Sequence, residues 1–344
     1  MLLTHRALKR RALAKSLRIT TPNGVDEASY VRIGGLDQWV SVRGEDRSNP
    51  VLLELHGGPG ASNSIFTPRT RAWERHFTIV RWDMRGAGRT FAAAGPDGQG
   101  ELTLDRLYAD ALEVTDHVRA RLGVPKVVLL ANSFGTVTGL RLARDHPDRY
   151  SAYVGTDQNI VAGGTDTSAY DALLGRLRRA GKRRQLSRLT AMGPDHTAWS
   201  AEEWSFYART VTTTDPLTYD TMKTVVIRSL WFSPLHTLRD LRSYLKGMAF
   251  SEQLGPQAMS LDEYAEGTVF RLPVFLFQGA CDILTPPGPA RHFHDHLTAP
   301  LKDFALIPDT SHFAAFRRPD VFLDLLMERV RPVVTGAGTQ GRAA

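Results

Sequence analysis

Apolar and polar positions change their period three times along the chain. Two runs rich in β-branched and aromatic side chains, 29–35 and 38–43, flank the Gly34 and Gly35 pair and predict a hairpin. The runs 51–55 (VLLEL), 78–82 (TIVRW) and 127–130 (VVLL) are short and almost wholly apolar, and each leads into a loop and then a helical pattern. Strands buried on both faces belong to a parallel sheet covered by helices on each side. Helices are predicted over 104–122, closed by Gly123 and Pro125, and over 134–145, closed before Pro147, with a further strand at 152–155.

Between 159 and 268 the period turns helical, with helices predicted at 166–180, 183–192, 200–212, 216–230 and 237–250. Strand pattern returns at 274–278 (VFLFQ) and 304–307 (FALI), before a last helix at 321–330. The expected class is α/β, a mostly parallel central sheet with helices on both faces and a helical lid inserted in the second half. Such a lid would lie over the carboxyl edge of the sheet, where ligands of open α/β sheets sit. The expected organisation is a basic helical arm at 1–25, core at 26–158, cap at 159–268, core again at 269–332 and a flexible end at 333–344.

Charge narrows the function classes. The net charge is +7, but residues 1–25 carry six basic side chains and residues 172–194 carry seven, neither with an acid. Without those thirteen cations the remainder carries −6. An acidic body repels phosphate outside two patches, so nucleic acid is not an expected partner. The arm is predicted to be a basic amphipathic helix docked on its own domain, with an anionic surface as the alternative. No apolar run is long enough for a membrane span, and the single Cys281 forms no internal disulfide, which makes a cytoplasmic location the expectation.

The chemistry centres on Ala131-Asn132-Ser133-Phe134-Gly135, placed directly between a strand and a helix. A sharp strand-to-helix turn needs small residues two positions on either side, and it presents the central Ser133 at the sheet edge. The N–H of Phe134 is then one candidate oxyanion donor. The second comes from His56-Gly57-Gly58-Pro59-Gly60, after the strand at 51–55, with Gly58 preferred and Gly57 next. A serine hydroxyl needs a base, and the base needs a carboxylate to fix its tautomer. His312 and Asp282 follow the last two predicted strands, giving the chain order Ser, Asp, His. Asp309 is the rival acid. His292, His294 and His296 fall in a helical segment without a matching carboxylate set, so no metal is expected, and no dinucleotide motif or other cofactor signature is present.

Together, HGGPG, the segment Asp83-Met84-Arg85-Gly86-Ala87-Gly88-Arg89-Thr90, the Ser133 turn, Asp282 with Thr285-Pro286, and Ser311-His312 resemble the proline iminopeptidase-related α/β hydrolases over about residues 29–330. That resemblance implies the α/β-hydrolase fold, a Ser133–His312–Asp282 triad and a small-molecule or short-peptide substrate. It also implies lid glutamates that hold a free α-amine, one of them shortly after a tryptophan. Here Trp204 is followed by Ala208 where that glutamate is expected, and Glu203 reads as part of a capping box with Ser200. Asp157, at the end of a strand, is the replacement candidate for the amine, with Glu202 and Glu252 behind it. Trp204 and Tyr207 are candidates for an acyl pocket, or else for packing within the lid. The expected reaction is cleavage of a small amide or ester, aminopeptidase first and esterase, lactonase or thioesterase as alternatives. A binding protein on the same fold is the non-enzymatic alternative, and the basic run at 176–188 is a candidate dock for an acidic carrier protein.

Overall fold

The computed structural model describes residues 2–160 and 167–336. Eight strands form one sheet in the order β1-β2-β4-β3-β5-β6-β7-β8. They are β1 (Val25–Ile33), β2 (Leu36–Gly44), β3 (Val51–Leu55), β4 (Thr78–Asp83), β5 (Val127–Asn132), β6 (Tyr150–Thr156), β7 (Val274–Gly279) and β8 (Lys302–Ile307). β1 and β2 pair antiparallel through the two-residue turn at Gly34 and Gly35, both at positive φ as this hairpin turn requires. β2 joins β4 antiparallel, and every pairing from β4 to β8 is parallel.

β3, β4, β5 and β7 are each buried along their whole length, which is why their sequences are mostly apolar without alternation. Two of the three charges in these strands answer each other: Glu54 of β3 stands opposite Arg81 of β4, and both are buried in an ion pair at 3.0 Å. One face of the sheet packs Leu53, Leu129, Tyr153 and Leu276 against helices that include Leu104–Leu122 and Gly135–Asp145. The other packs Leu52, Val128, Phe275 and Phe277 against Phe66, Trp73, Phe316 and Phe322.

Between β6 and β7 the chain is helical, at Ser168–Arg179, Arg183–Met192, Ala201–Thr214, the run 216–232 and Leu238–Ser251. Its own apolar cluster contains Leu173, Leu177, Leu189, Trp199, Tyr207 and Val211 and reaches Ile283 in the loop after β7. The last helical run extends over 319–334, longer than 321–330, because Pro319 can open it where no N–H is needed. Of the end predicted to be flexible at 333–344, residues 333 and 334 are helical; residues 337–344 and the predicted helix start at 166 lie outside the described residues.

The arm forms helix Leu2–Ser16, but its inward face is not apolar. Arg6 donates to the Trp231 carbonyl at 2.8 Å, and Arg10 donates to the carbonyls of Ser233 and His236 at 3.0 and 2.9 Å. Leu3 and Leu8 face outward. The expected amphipathic pattern is thus inverted, because the arm caps the free carbonyls that end the run 216–232 instead of burying a hydrophobic stripe. Among the described residues no helix is long and apolar enough to cross a membrane.

Candidate active site

The carboxyl ends of β3, β5, β6, β7 and β8 bring the chemical residues together. Ser133 follows β5 at φ 52°, a left-handed conformation that a non-glycine residue adopts only when its surroundings enforce it. The Ser133 N–H donates to the Thr156 carbonyl at 3.0 Å on one side. On the other, Gly135 lies so close to β3 that a Cβ there would sit 2.4 Å from the Leu55 carbonyl oxygen. Sequence alone predicts a small residue at this position, and the structure identifies what it must clear.

His312 follows β8 and is buried. Its Nε2 lies 3.0 Å from Ser133 Oγ and its Nδ1 lies 2.8 Å from Asp282 Oδ2. Asp282 accepts from the Leu284 and Thr285 N–H groups at 2.7 and 3.2 Å and from the Thr285 hydroxyl at 2.7 Å, so its lone pairs are fully engaged. Asp309 stands exposed in a left-handed turn, and it is Asp282 that meets the imidazole. Burial opposes an imidazolium at His312, but the charges of Asp282 and Asp157 outweigh it and carry the pKa up to about 9.

The loop after β3 is held from below. His56 Nδ1 meets the Gly57 carbonyl at 2.9 Å while Nε2 accepts from the Met84 N–H at 3.2 Å, so one ring ties this loop to the segment after β4. Burial lowers the His56 pKa and keeps the ring neutral in that arrangement. The Gly57 N–H donates to Asn132 Oδ1 at 3.2 Å and is therefore not free to meet an oxyanion, which corrects its place as a second donor. Among the described residues the N–H groups of Gly58 and Phe134 have no hydrogen-bond acceptor.

Two expected substrate contacts, Glu202 and Asp157, are placed differently. Glu202 is exposed and pairs with Arg188 at 2.7 Å on the solvent side, so its expectation as a substrate ligand is corrected. Glu203 closes the predicted capping box with Ser200. Asp157 is fully buried, and its carboxylate accepts from Asn132 Nδ2, the Phe313 N–H and the Ala314 N–H at 3.1, 3.1 and 3.4 Å. It lies behind His312, not in a position open to a substrate amine, and the expected anchoring role is corrected accordingly. Trp204 and Tyr207 pack with Trp199 and line a cavity of about 40 Å³ beside Ile283 and Leu284. The Tyr207 hydroxyl donates to the Ile283 carbonyl at 2.7 Å, next to Asp282.

The nearest nitrogen and oxygen atoms of Asp157, Asp282 and His312 all lie within 4.8 Å of one another. The His312 ring faces Asp282 and Ser133, and both carboxylates accept several N–H groups. This is a closed hydrogen-bonded set and not an open cation site. Residues assigned no role of their own from the sequence complete it. Asn132 bridges Gly57 to Asp157, and Thr285 stands 3.2 Å from His312 Nδ1. Ser311 Oγ meets Thr218 at 2.8 Å, and Thr218 donates to Asp215. Asp215 approaches Arg176 to 2.8 Å as an ion pair without hydrogen-bond alignment. Asn132 carried a signal, since it lies inside the serine turn, whereas Thr218 and Asp215 carried none.

A profile of the family described as alpha/beta hydrolase fold matches residues 50–319, from the strand before HGGPG to the helix after His312. The chain belongs to the α/β hydrolase fold family. Within that family, this hydrolase is 23% identical over 306 residues to a protein named probable aminopeptidase in Bacillus subtilis (strain 168), covering 87% of this chain and 94% of the relative. It is 34% identical over 137 residues to a probable proline iminopeptidase of Streptomyces coelicolor, covering 39% of this chain and 38% of that protein. Among solved structures, a proline iminopeptidase-related protein from Thermus thermophilus superposes with a TM-score of 0.58 at 21% identity, over 90% of this chain and 99% of that one. A thermophilic esterase from Thermogutta terrifontis superposes at 0.53 and 18% identity, over 90% and 98%. The fold and the family resemblance expected from the motifs are therefore met, and the chain is an enzyme of the α/β-hydrolase type.

Proposed function

We propose that this α/β hydrolase is a serine hydrolase that cleaves a small amide or ester through an acyl-enzyme on Ser133. The observation that carries the reading is the continuous line of hydrogen bonds from Ser133 Oγ to His312 at 3.0 Å and on to Asp282 at 2.8 Å. Neutral His312 Nε2 takes the Ser133 proton as Oγ bonds to the substrate carbonyl carbon, and Asp282 holds the ring and stabilises the imidazolium. The Phe134 and Gly58 N–H groups receive the oxyanion. Collapse of the tetrahedral species breaks the scissile bond, and His312 returns its proton to the leaving nitrogen or oxygen. Water then repeats the sequence on the acyl-enzyme and frees Ser133.

The helical segment 168–266 is the cap of this reading, and the apolar cleft at Trp204 and Tyr207 is the substrate-side feature it offers. Two relatives named as peptidases support an aminopeptidase. Ala208 in place of the expected lid glutamate, and the outward placement of Glu202, support the esterase alternative, because neither residue offers a carboxylate to a free amine. A carrier-protein dock gains little support. Arg176, Lys182 and Arg188 of the basic run are engaged with Asp215, Thr214 and Glu202 within the chain.

A fluorophosphonate probe tests the nucleophile: wild type is labelled, Ser133→Ala is not, and labelling that persists in the variant overturns the reading. A panel of aminoacyl amides, their N-blocked equivalents and simple esters decides the class. Cleavage confined to free-amine substrates establishes the aminopeptidase, and equal turnover of blocked substrates and esters establishes the esterase.

A further inference from the structure

Asp157 is a buried ionisable group that the hydrolytic sequence above does not use. It stands at the end of β6 with φ 49°, a left-handed conformation that costs a non-glycine residue free energy and persists only where the surroundings over-determine it. Its carboxylate is fully buried and makes contacts in two directions. Toward β8 it accepts the consecutive N–H groups of Phe313 and Ala314, the two residues that follow His312. Toward β5 it accepts Asn132 Nδ2, whose own Oδ1 holds the Gly57 N–H beside the oxyanion donors. One side chain therefore links the turn bearing the base to the loop bearing the oxyanion donor, and it brings a carboxylate close to the imidazole.

We propose that Asp157 is a positioning residue for the hydrolytic reaction: it fixes the His312 turn and supplies a second negative charge, beside that of Asp282, to the imidazolium. This inference rests on the serine hydrolase reading. Among the described residues, two carboxylates face His312. Asp282 approaches from the loop after β7 and Asp157 from the end of β6. The Tyr207 hydroxyl, from the helix Ala201–Thr214, lies near Asp282, with Arg176 and Asp215 around it. Burial raises the Asp157 pKa to about 6 against the favourable charge of His312, so above that pH the residue is an anion. Two carboxylates on one imidazole then hold its proton more firmly than one, which accounts for the rise at His312. The catalytic consequence has a definite sign. The base must be neutral to accept the serine proton, so the second carboxylate moves the rise of activity toward alkaline pH while stabilising the ion pair formed during the reaction.

The test reads the titration of His312 in the full chain by NMR of its imidazole, together with the pH dependence of fluorophosphonate labelling. In wild type both midpoints are expected well above the ordinary histidine value, and in Asp157→Asn both move down by about one unit or more. A residue that only braced the fold would change the amount of folded protein and leave the midpoint where it was. Asn132→Ala is the second variant, since it removes one donor to Asp157 without touching the His312 turn. With that donor gone the Asp157 anion is less compensated, so the His312 midpoint is expected to move up by a smaller step, opposite to Asp157→Asn, and this decides the matter if Asp157→Asn fails to fold. A wild-type midpoint near 6.5, or variants that fold with the wild-type midpoint, overturns the proposal. Persistent labelling of Ser133→Ala would overturn the serine hydrolase reading instead, and the NMR titration would distinguish that failure from this one.

Discussion

Replacing Gly135 with alanine tests whether the serine turn is set by its clearance from β3. The added Cβ would stand 2.4 Å from the Leu55 carbonyl oxygen and 2.7 Å from that of His56, against 3.4 Å or more for ordinary contact. Both obstacles are backbone, and Leu55 is held in register with Ala131 of β5, so neither can rotate away. The start of helix Gly135–Asp145 must retreat by about 1 Å to restore contact distance, an overpacking that costs about 1–3 kcal/mol. Ser133 lies two residues before and moves with it, away from a His312 nitrogen now at 3.0 Å. A displacement of about 1 Å at a reacting group can cost on the order of 100-fold in rate. The control is Gly123→Ala, at φ 68° with nothing within 4 Å, where backbone strain of about 1–2 kcal/mol arises without any displacement of the site. Urea unfolding and the rate of fluorophosphonate labelling are measured on both variants. Both should lose comparable stability, and only Gly135→Ala should lose labelling. Equal labelling in the two folded variants would refute the argument that this clearance positions Ser133.

Two further outcomes follow from charge and from the arm. The His312 pKa is raised on folding from 6.5 to about 9, so its contribution to stability is fully present below 6.5 and is lost as pH rises through 9. At 1.36 kcal/mol per unit this amounts to about 3 kcal/mol, and the stability gap between wild type and His312→Gln in urea should narrow by that order between pH 6 and 10; parallel curves would contradict it. Arg10→Ala removes the donor that reaches Ser233, Pro234 and His236, which should loosen the helix Leu2–Ser16 and speed limited proteolysis between residues 16 and 25, leaving Ser133 labelling unchanged.

The sheet and the meeting of Ser133, His312 and Asp282 were legible because their constraints are local. A strand buried on both faces must be mostly apolar, as Val51–Leu55 with its paired Glu54 and Val274–Gly279 are, and a serine on a strand-to-helix turn must have small neighbours, as Ala131 and Gly135 are. The assignment of Asp157 failed for a nonlocal reason. Its position at a strand end was correct, but whether a carboxylate there faces a substrate or the back of the base depends on where the chain returns 156 residues later with Phe313 and Ala314. The arm failed for a different one: periodicity assumes that the buried face is apolar, whereas Arg6 and Arg10 face inward because carbonyls at the end of another helix need donors.

The same distinction bears on how substrate choice can vary without loss of the chemistry. Ser133, Asp157, Asp282 and His312 stand on strand ends whose spacing is fixed by the sheet. Among the described residues the helical segment reaches that set at Thr218 on Ser311 and at Tyr207 on the Ile283 carbonyl. Ser311 is one residue from His312 and Ile283 one residue from Asp282, so each contact constrains the segment where it approaches one of these side chains. Between them, the side chains around Trp204 are free to differ, since among the described residues no hydrogen bond from Ser133, His312 or Asp282 passes through them. A carboxylate introduced there by Ala208→Glu would thus be expected to alter preference for a free amine while leaving the His312 geometry in place. Loss of Thr218 or Tyr207 would reach the base and its acid.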